Sequence, residues 1–185
     1  IRSAVMQAMR IMGGQYVLGR SIQEGIKQGI KHNGPKAKFS FDMLGEGART
    51  EADAEAYFQA YSSAIEQIGI SNAGSTDSVN DADGISVKLS ALHSRYYFAQ
   101  YQRVMEELLP RIKALCLQAK KYNIGLSIDA EESYRLDISL SIFEALASDL
   151  ALDGWQGLGF VLQAYQKRAP DTAKWLIKLA QNTKR

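Results

Sequence analysis

Five polar side chains carry the chemistry this sequence can offer: Asp42, Glu46, Lys88, Asp129 and Gln163. Each lies at the end of, or just beyond, one of four short apolar runs, at 38–44, 84–89, 124–129 and 157–163. Lys88 supplies a point charge. Asp129 supplies a carboxylate, and Gln163 offers both a donor and an acceptor. One charged residue at a strand end is ordinary. Four runs that each deliver a polar group at the matching level are hard to explain by packing, because an unpartnered buried charge is costly.

Structural roles compete for the same residues. Asp42 can hold Lys88, and Lys88 can lie on an exposed strand face. Asp129 can cap the helix that the pattern starts near Glu131. Gln163 can satisfy backbone in a turn. Glu131 and Glu132 read as acidic residues of a first helical turn, favoured by the macrodipole. His93 reads as a loop or turn residue, and His32 as a helix-end residue. No metal-ligand spacing and no G-x-S-x-G motif occurs in the chain. Trp155 and Trp175 read as core residues.

Alternating elements must position these groups. Helices are predicted over 2–12 and 17–31, separated by Gly13-Gly14 and closed by Gly34-Pro35. Each apolar run is then followed by a polar break and an amphipathic segment, at 51–68, 98–122, 131–147 and 171–182. Gly84, Gly125 and Gly159 stand at or near the starts of the last three runs. Such alternation implies parallel strands joined by helical crossovers, in either a doubly wound sheet or a barrel. The first strand–helix turn argues against a dinucleotide fold. Leu44-Gly45-Glu46-Gly47-Ala48 lacks the third glycine, and Glu46 would repel a phosphate. Ser71–Asp83, rich in Ser, Asn, Asp and Gly, is predicted to be a mobile surface loop. The organisation expected is an N-terminal helical segment, 1–36, and a partial barrel, 37–185.

The chain has 185 residues, enough for one sizeable core. A net charge of +2 gives no electrostatic case for nucleic acid. Cys116 is the sole cysteine, which fits a reducing, cytoplasmic setting. No apolar run approaches the roughly 20 residues of a membrane span, and no signal peptide is visible. The chain opens at Ile1 directly into helical pattern and stops at Arg185 after another helix, so both ends read as cut from something longer.

Four segments together resemble the proline dehydrogenase domain. They are Phe41-Asp42-Met43-Leu44-Gly45-Glu46, Gly84 to His93, Ile128-Asp129-Ala130-Glu131-Glu132-Ser133 and Gly159 to Arg168. The resemblance is strongest to bacterial bifunctional proline utilization A flavoproteins, in which this domain precedes an aldehyde dehydrogenase. It spans nearly the whole chain, with the motifs in order, and the 71–83 loop is its main departure.

The resemblance implies the first four βα units of a distorted (β/α)8 TIM-type barrel, an α/β fold preceded by two helices. It also implies FAD at the C-terminal ends of the strands and oxidation of L-proline to Δ1-pyrroline-5-carboxylate. By that likeness, Lys88 and Asp129 are the catalytic pair, and Lys88, Asp42 and a gating Glu46 meet the substrate. Asp129, Ala130 and Gln163 contact the cofactor, and no metal is implied. Glu46 would pair with an arginine of the family's last helix. Neither that arginine nor the family's fifth-strand flavin motif occurs in these residues. An open half-barrel would expose two strand edges and a core face. The chain is therefore expected to hold FAD poorly alone and to need the missing half of the barrel, or a homo-oligomer. The resemblance leaves a peripheral place for the parent protein at the inner membrane face. Two other readings stand beside it: a non-catalytic half-barrel that self-associates, and an unrelated barrel enzyme acting on a phosphorylated metabolite.

Overall fold

A computed structural model describes residues 2–14, 16–34, 36–73 and 78–185, without the Arg10 side chain. Helices α1 (Arg2–Gly13) and α2 (Ile22–Asn33) come first. Four strand–helix pairs follow: β1 (Ser40–Asp42) with α3 (Glu51–Asn72), and β2 (Gly84–Val87) with α4 (Tyr101–Lys121). Then come β3 (Leu126–Ile128) with α5 (Leu136–Ala147), and β4 (Leu158–Phe160) with α6 (Ala169–Thr183). The strands form one parallel sheet in the order β1-β2-β3-β4. Among the described residues β1 and β4 each pair on one side only, so both edges are open as expected.

Register explains what the two faces do. One row across the sheet is Phe41, Ile85, Leu126 and Leu158, and the next is Asp42, Ser86, Ser127 and Gly159. Alternation puts these rows on opposite faces. Phe41, Ile85, Val87, Leu126 and Ile128 belong to the buried core with Ile65 and Ile68 of α3, Leu108 and Ile112 of α4, and Ile138 and Ile142 of α5. The other face is built of small and polar residues rather than an apolar core, which corrects the expected exposed core face. The pleat, carried two residues past Ser86 and Ser127, delivers Lys88 and Asp129 to that same polar face.

Several boundaries differ from the sequence pattern. The second helix starts at Ile22, not 17, because Ser21 caps it: its hydroxyl accepts from Glu24 N–H at 3.2 Å, and Arg20 N–H donates to the Glu24 carboxylate at 2.9 Å. This N-cap outweighs the periodicity of Val17 and Leu18. Gly34 ends the helix at φ 83°, a backbone conformation that suits glycine; Pro35 lies outside the described residues. Helix α3 starts at a capping box, Thr50 with Asp53, and runs to Asn72, into the predicted loop.

That loop is anchored on both sides, although its residues 74–77 lie outside the described residues. Asp83 N–H donates to the Asn72 side chain at 3.1 Å, and the Asp83 carboxylate accepts from Phe39 N–H at 2.9 Å. Helix α4 is preceded by a single 3-10 turn at Phe98–Gln100. The helix predicted from Glu131 starts at Leu136, after another such turn at Ser133–Arg135, so Glu131 and Glu132 are not in a first α-helical turn. Trp155 is a core residue whose indole N–H donates to Ile124 C=O at 3.1 Å, whereas Trp175 is only partly buried and stays outside the core cluster. Cys116 is buried in α4, and burial pushes its thiol pKa up to about 12.

Candidate active site

The C-terminal ends of β1, β2 and β3 converge on Lys88. Its ammonium lies 2.6 Å from an Asp42 oxygen and 2.9 Å from an Asp129 oxygen. Burial disfavours the charge, but the hydrogen bonds to Asp42 and Asp129 outweigh it and hold the Lys88 pKa above the ordinary lysine value. One cation between two carboxylates leaves the cluster net negative. An ammonium has three donors. Two are engaged here, so one N–H remains for a further acceptor.

Main-chain bonds fix the cluster. Lys88 N–H donates to the buried Tyr61 hydroxyl at 3.2 Å, and burial raises the Tyr61 pKa, keeping the phenol protonated. Asp129 N–H continues the ladder to Val87 C=O at 2.9 Å, and an Asp129 oxygen accepts from Ala130 N–H at 2.9 Å. With α5 starting at Leu136, Asp129 is not its cap.

The remaining predicted residues line an open groove of about 950 Å³ at the same end of the sheet, which includes Glu46, Ser90, Ala130, Gln163 and Lys167. Glu46 is exposed there, in the loop after β1. The Gln163 carbonyl oxygen accepts from the Gln166 side chain, which leaves the Gln163 amide N–H groups as the free polar edge. A smaller chamber of about 20 Å³ adjoins Asp129, Ala130 and Gln163. Lys88 and Asp42 line neither space, so the structure brings the predicted residues to one end of the sheet in two groups that meet at Asp129 and Ala130.

Sequence reasoning missed three members. Ser90 hydrogen-bonds the loop after β1, its hydroxyl accepting from Gly47 N–H at 3.1 Å and its carbonyl from Ala48 N–H at 2.8 Å. Glu131 is a bridging carboxylate rather than a helix-end charge, accepting from Ser90 N–H at 3.0 Å and from Arg135 at 2.9 Å. Arg135 lies 5.3 to 5.7 Å from the ring centres of Tyr96, Tyr97 and Tyr134. The four-residue spacing of Glu131 and Arg135 was the available signal. His93 is a loop residue, as expected, but a buried one with both nitrogens engaged: Nδ1 accepts from Arg95 N–H at 3.1 Å, and Nε2 lies 3.0 Å from Glu107.

Known proteins resemble this chain in sequence and in fold. The chain is 51% identical over its whole length to the bifunctional protein PutA of Escherichia coli K12, of which it covers 14%. It is 48% identical to the bifunctional protein PutA of Rhizobium meliloti, again covering 14% of that protein. A crystal structure of a Bradyrhizobium japonicum proline utilization A (PutA) variant superposes on all of the chain with a TM-score of 0.84 at 46% identity, over 18% of that longer polypeptide. The family model described as proline dehydrogenase matches residues 26–185, and the chain belongs to the proline dehydrogenase family.

Proposed function

We propose that this chain supplies the first half of the active site that oxidises L-proline to Δ1-pyrroline-5-carboxylate. The observation that carries the reading is Lys88, fixed between Asp42 and Asp129 with one donor to spare. That N–H receives the proline carboxylate, and the flanking aspartates keep the ammonium charged and aimed. Hydride loss from the carbon beside a neutral ring nitrogen leaves an iminium C=N, which releases its N–H proton to solvent. Asp129, paired with Lys88 at 2.9 Å, is the carboxylate that orients the ring nitrogen in its neutral form.

FAD held at this end of the sheet would supply the hydride acceptor. The residues suit it: the Gln163 amide N–H groups and Ala130 border a groove of about 950 Å³, within the usual size of a cofactor site, and Asp129 lines the small chamber beside it. Glu46, exposed at the groove, is the gate and pairs with an arginine from the other half of the barrel. The parent protein is a cytoplasmic bifunctional enzyme with an aldehyde dehydrogenase domain, peripheral to the membrane. Among the described residues no helix is long and apolar enough to cross a membrane. The two open sheet edges favour a second reading for the isolated chain, a half-barrel that self-associates without catalysis.

The test is the visible flavin spectrum before and after anaerobic L-proline, on the full-length protein and on these 185 residues alone. Bleaching only in the full-length protein supports the reading, and no bleaching in either refutes it. In the full-length protein Lys88→Ala raises KM for proline more than it alters flavin binding. Asp129→Ala lowers turnover by roughly 10²-fold.

A further inference from the structure

The carboxylate of Glu131 joins two loops. One oxygen accepts from Ser90 N–H, after β2, and the other from Arg135, after β3, at 3.0 and 2.9 Å. The side chain is only 8% exposed, and that of Arg135 only 12%. Arg135 also pairs with Glu132 at 3.1 Å. From Ser90 the connection continues, through its hydroxyl and carbonyl, to the amides of Gly47 and Ala48. A single path of hydrogen bonds therefore runs from Arg135 through Glu131 and Ser90 to the loop after β1. It ends one residue from Glu46. No hydrogen bond or ion pair connects Glu131 to Lys88, Asp42 or Asp129 among the described residues.

A buried ion pair is a poor source of stability, since an apolar side chain of similar size often serves as well. Here both carboxylate oxygens are bonded, and each bond reaches a different loop. We propose that Glu131 is a positioning residue that sets the Glu46 loop over the groove through Ser90, and so tunes substrate affinity rather than the chemical step. The inference rests on the proline oxidation proposed above.

The variant that tests it is Glu131→Gln in the full-length, flavin-loaded protein. Gln keeps the size but has one acceptor, so it serves Ser90 or Arg135 and turns an amide N–H2 toward the other donor. KM for L-proline rises about tenfold, as loss of one charge-assisted hydrogen bond predicts, while kcat stays within about twofold. The flavin band, resting and proline-bleached, is unchanged. Ser90→Ala removes the acceptor for Gly47 and raises KM in the same way. Because the two residues are links in one path, the double variant is no worse than the more affected single. Should Glu131→Gln fail to fold, Ser90→Ala alone carries the KM-against-kcat comparison. A fall in kcat at constant KM, or KM effects that multiply, overturns the proposal while the proline reading survives. An unsubstituted protein that does not bleach with L-proline overturns both.

Discussion

Replacing Lys88 by Met keeps the aliphatic stem and deletes the charge, leaving Asp42 and Asp129 facing each other. The structure separates the two contributions. The Lys88–Asp129 contact joins side chains 14% and 22% exposed, so its loss costs about 1.5–3 kcal/mol as a charge-assisted bond in a partly dry setting. The Asp42 side chain is 54% exposed, and water replaces most of what Lys88 gave it, so that contact adds about 0–1 kcal/mol. The expected destabilisation is about 2–3 kcal/mol, below the loss seen on breaking a fully buried pair because water still reaches Asp129. Urea unfolding of the protein, followed by far-UV circular dichroism, measures it as a shift in midpoint at unchanged slope. Adding Asp129→Asn to Lys88→Met recovers about half the loss, whereas adding Asp42→Asn recovers little. A loss under about 0.5 kcal/mol, or equal recovery by the two Asn variants, would refute the assignment of Asp129 as the principal partner.

Two further outcomes concern the frame around the site. Gly84→Ala places a Cβ 2.7 Å from the Gly125 carbonyl oxygen, just before β3, which accepts from Ile85 N–H at 2.9 Å, so neither backbone can yield without breaking the ladder. A cost of about 1–3 kcal/mol is expected, while Gly125→Ala, whose Cβ meets its nearest neighbour at 3.8 Å, is close to neutral by the same urea assay. Lys113, 2.5 Å from Asp149, is the main cause holding the Asp149 carboxyl below the usual aspartate value, with the Ala151 amide assisting. A depressed folded pKa stabilises above the unfolded value, near 3.9, and the effect is lost as pH falls through the folded one. Lys113→Ala therefore lowers stability by under about 1 kcal/mol at pH 7 and not at all near pH 2, and a constant difference across that range would contradict the pairing.

The architecture and half of the site were legible because they are local. Strand and helix periodicities depend on neighbours a turn or a pleat away, so the alternating elements stood out, and so did the placing of Lys88 and Asp129 at strand ends. Two N-caps, Ser21 with Glu24 and Thr50 with Asp53, are equally local, and the apolar spacing of Val17 and Leu18 masks the first. The start of α5 was misplaced because Glu131 is a good helix former locally, yet Ser90 and Arg135 hold it in a loop.

What the amino-acid order determined by itself was which residues sit at strand ends and that the strands run parallel. Tertiary structure decided which of those ends meet. Lys88 is 46 residues from Asp42, and Ser90 is 41 from Glu131, so no local preference specifies either contact. The register of Asp42 against Ser86 and of Ser86 against Ser127 specifies them, since a one-residue slip would turn Lys88 or Asp129 into the helices. That register is held by helix packing on Phe41, Ile85 and Leu126 on the opposite face, and the charged cluster is assembled by the burial of side chains that take no part in it.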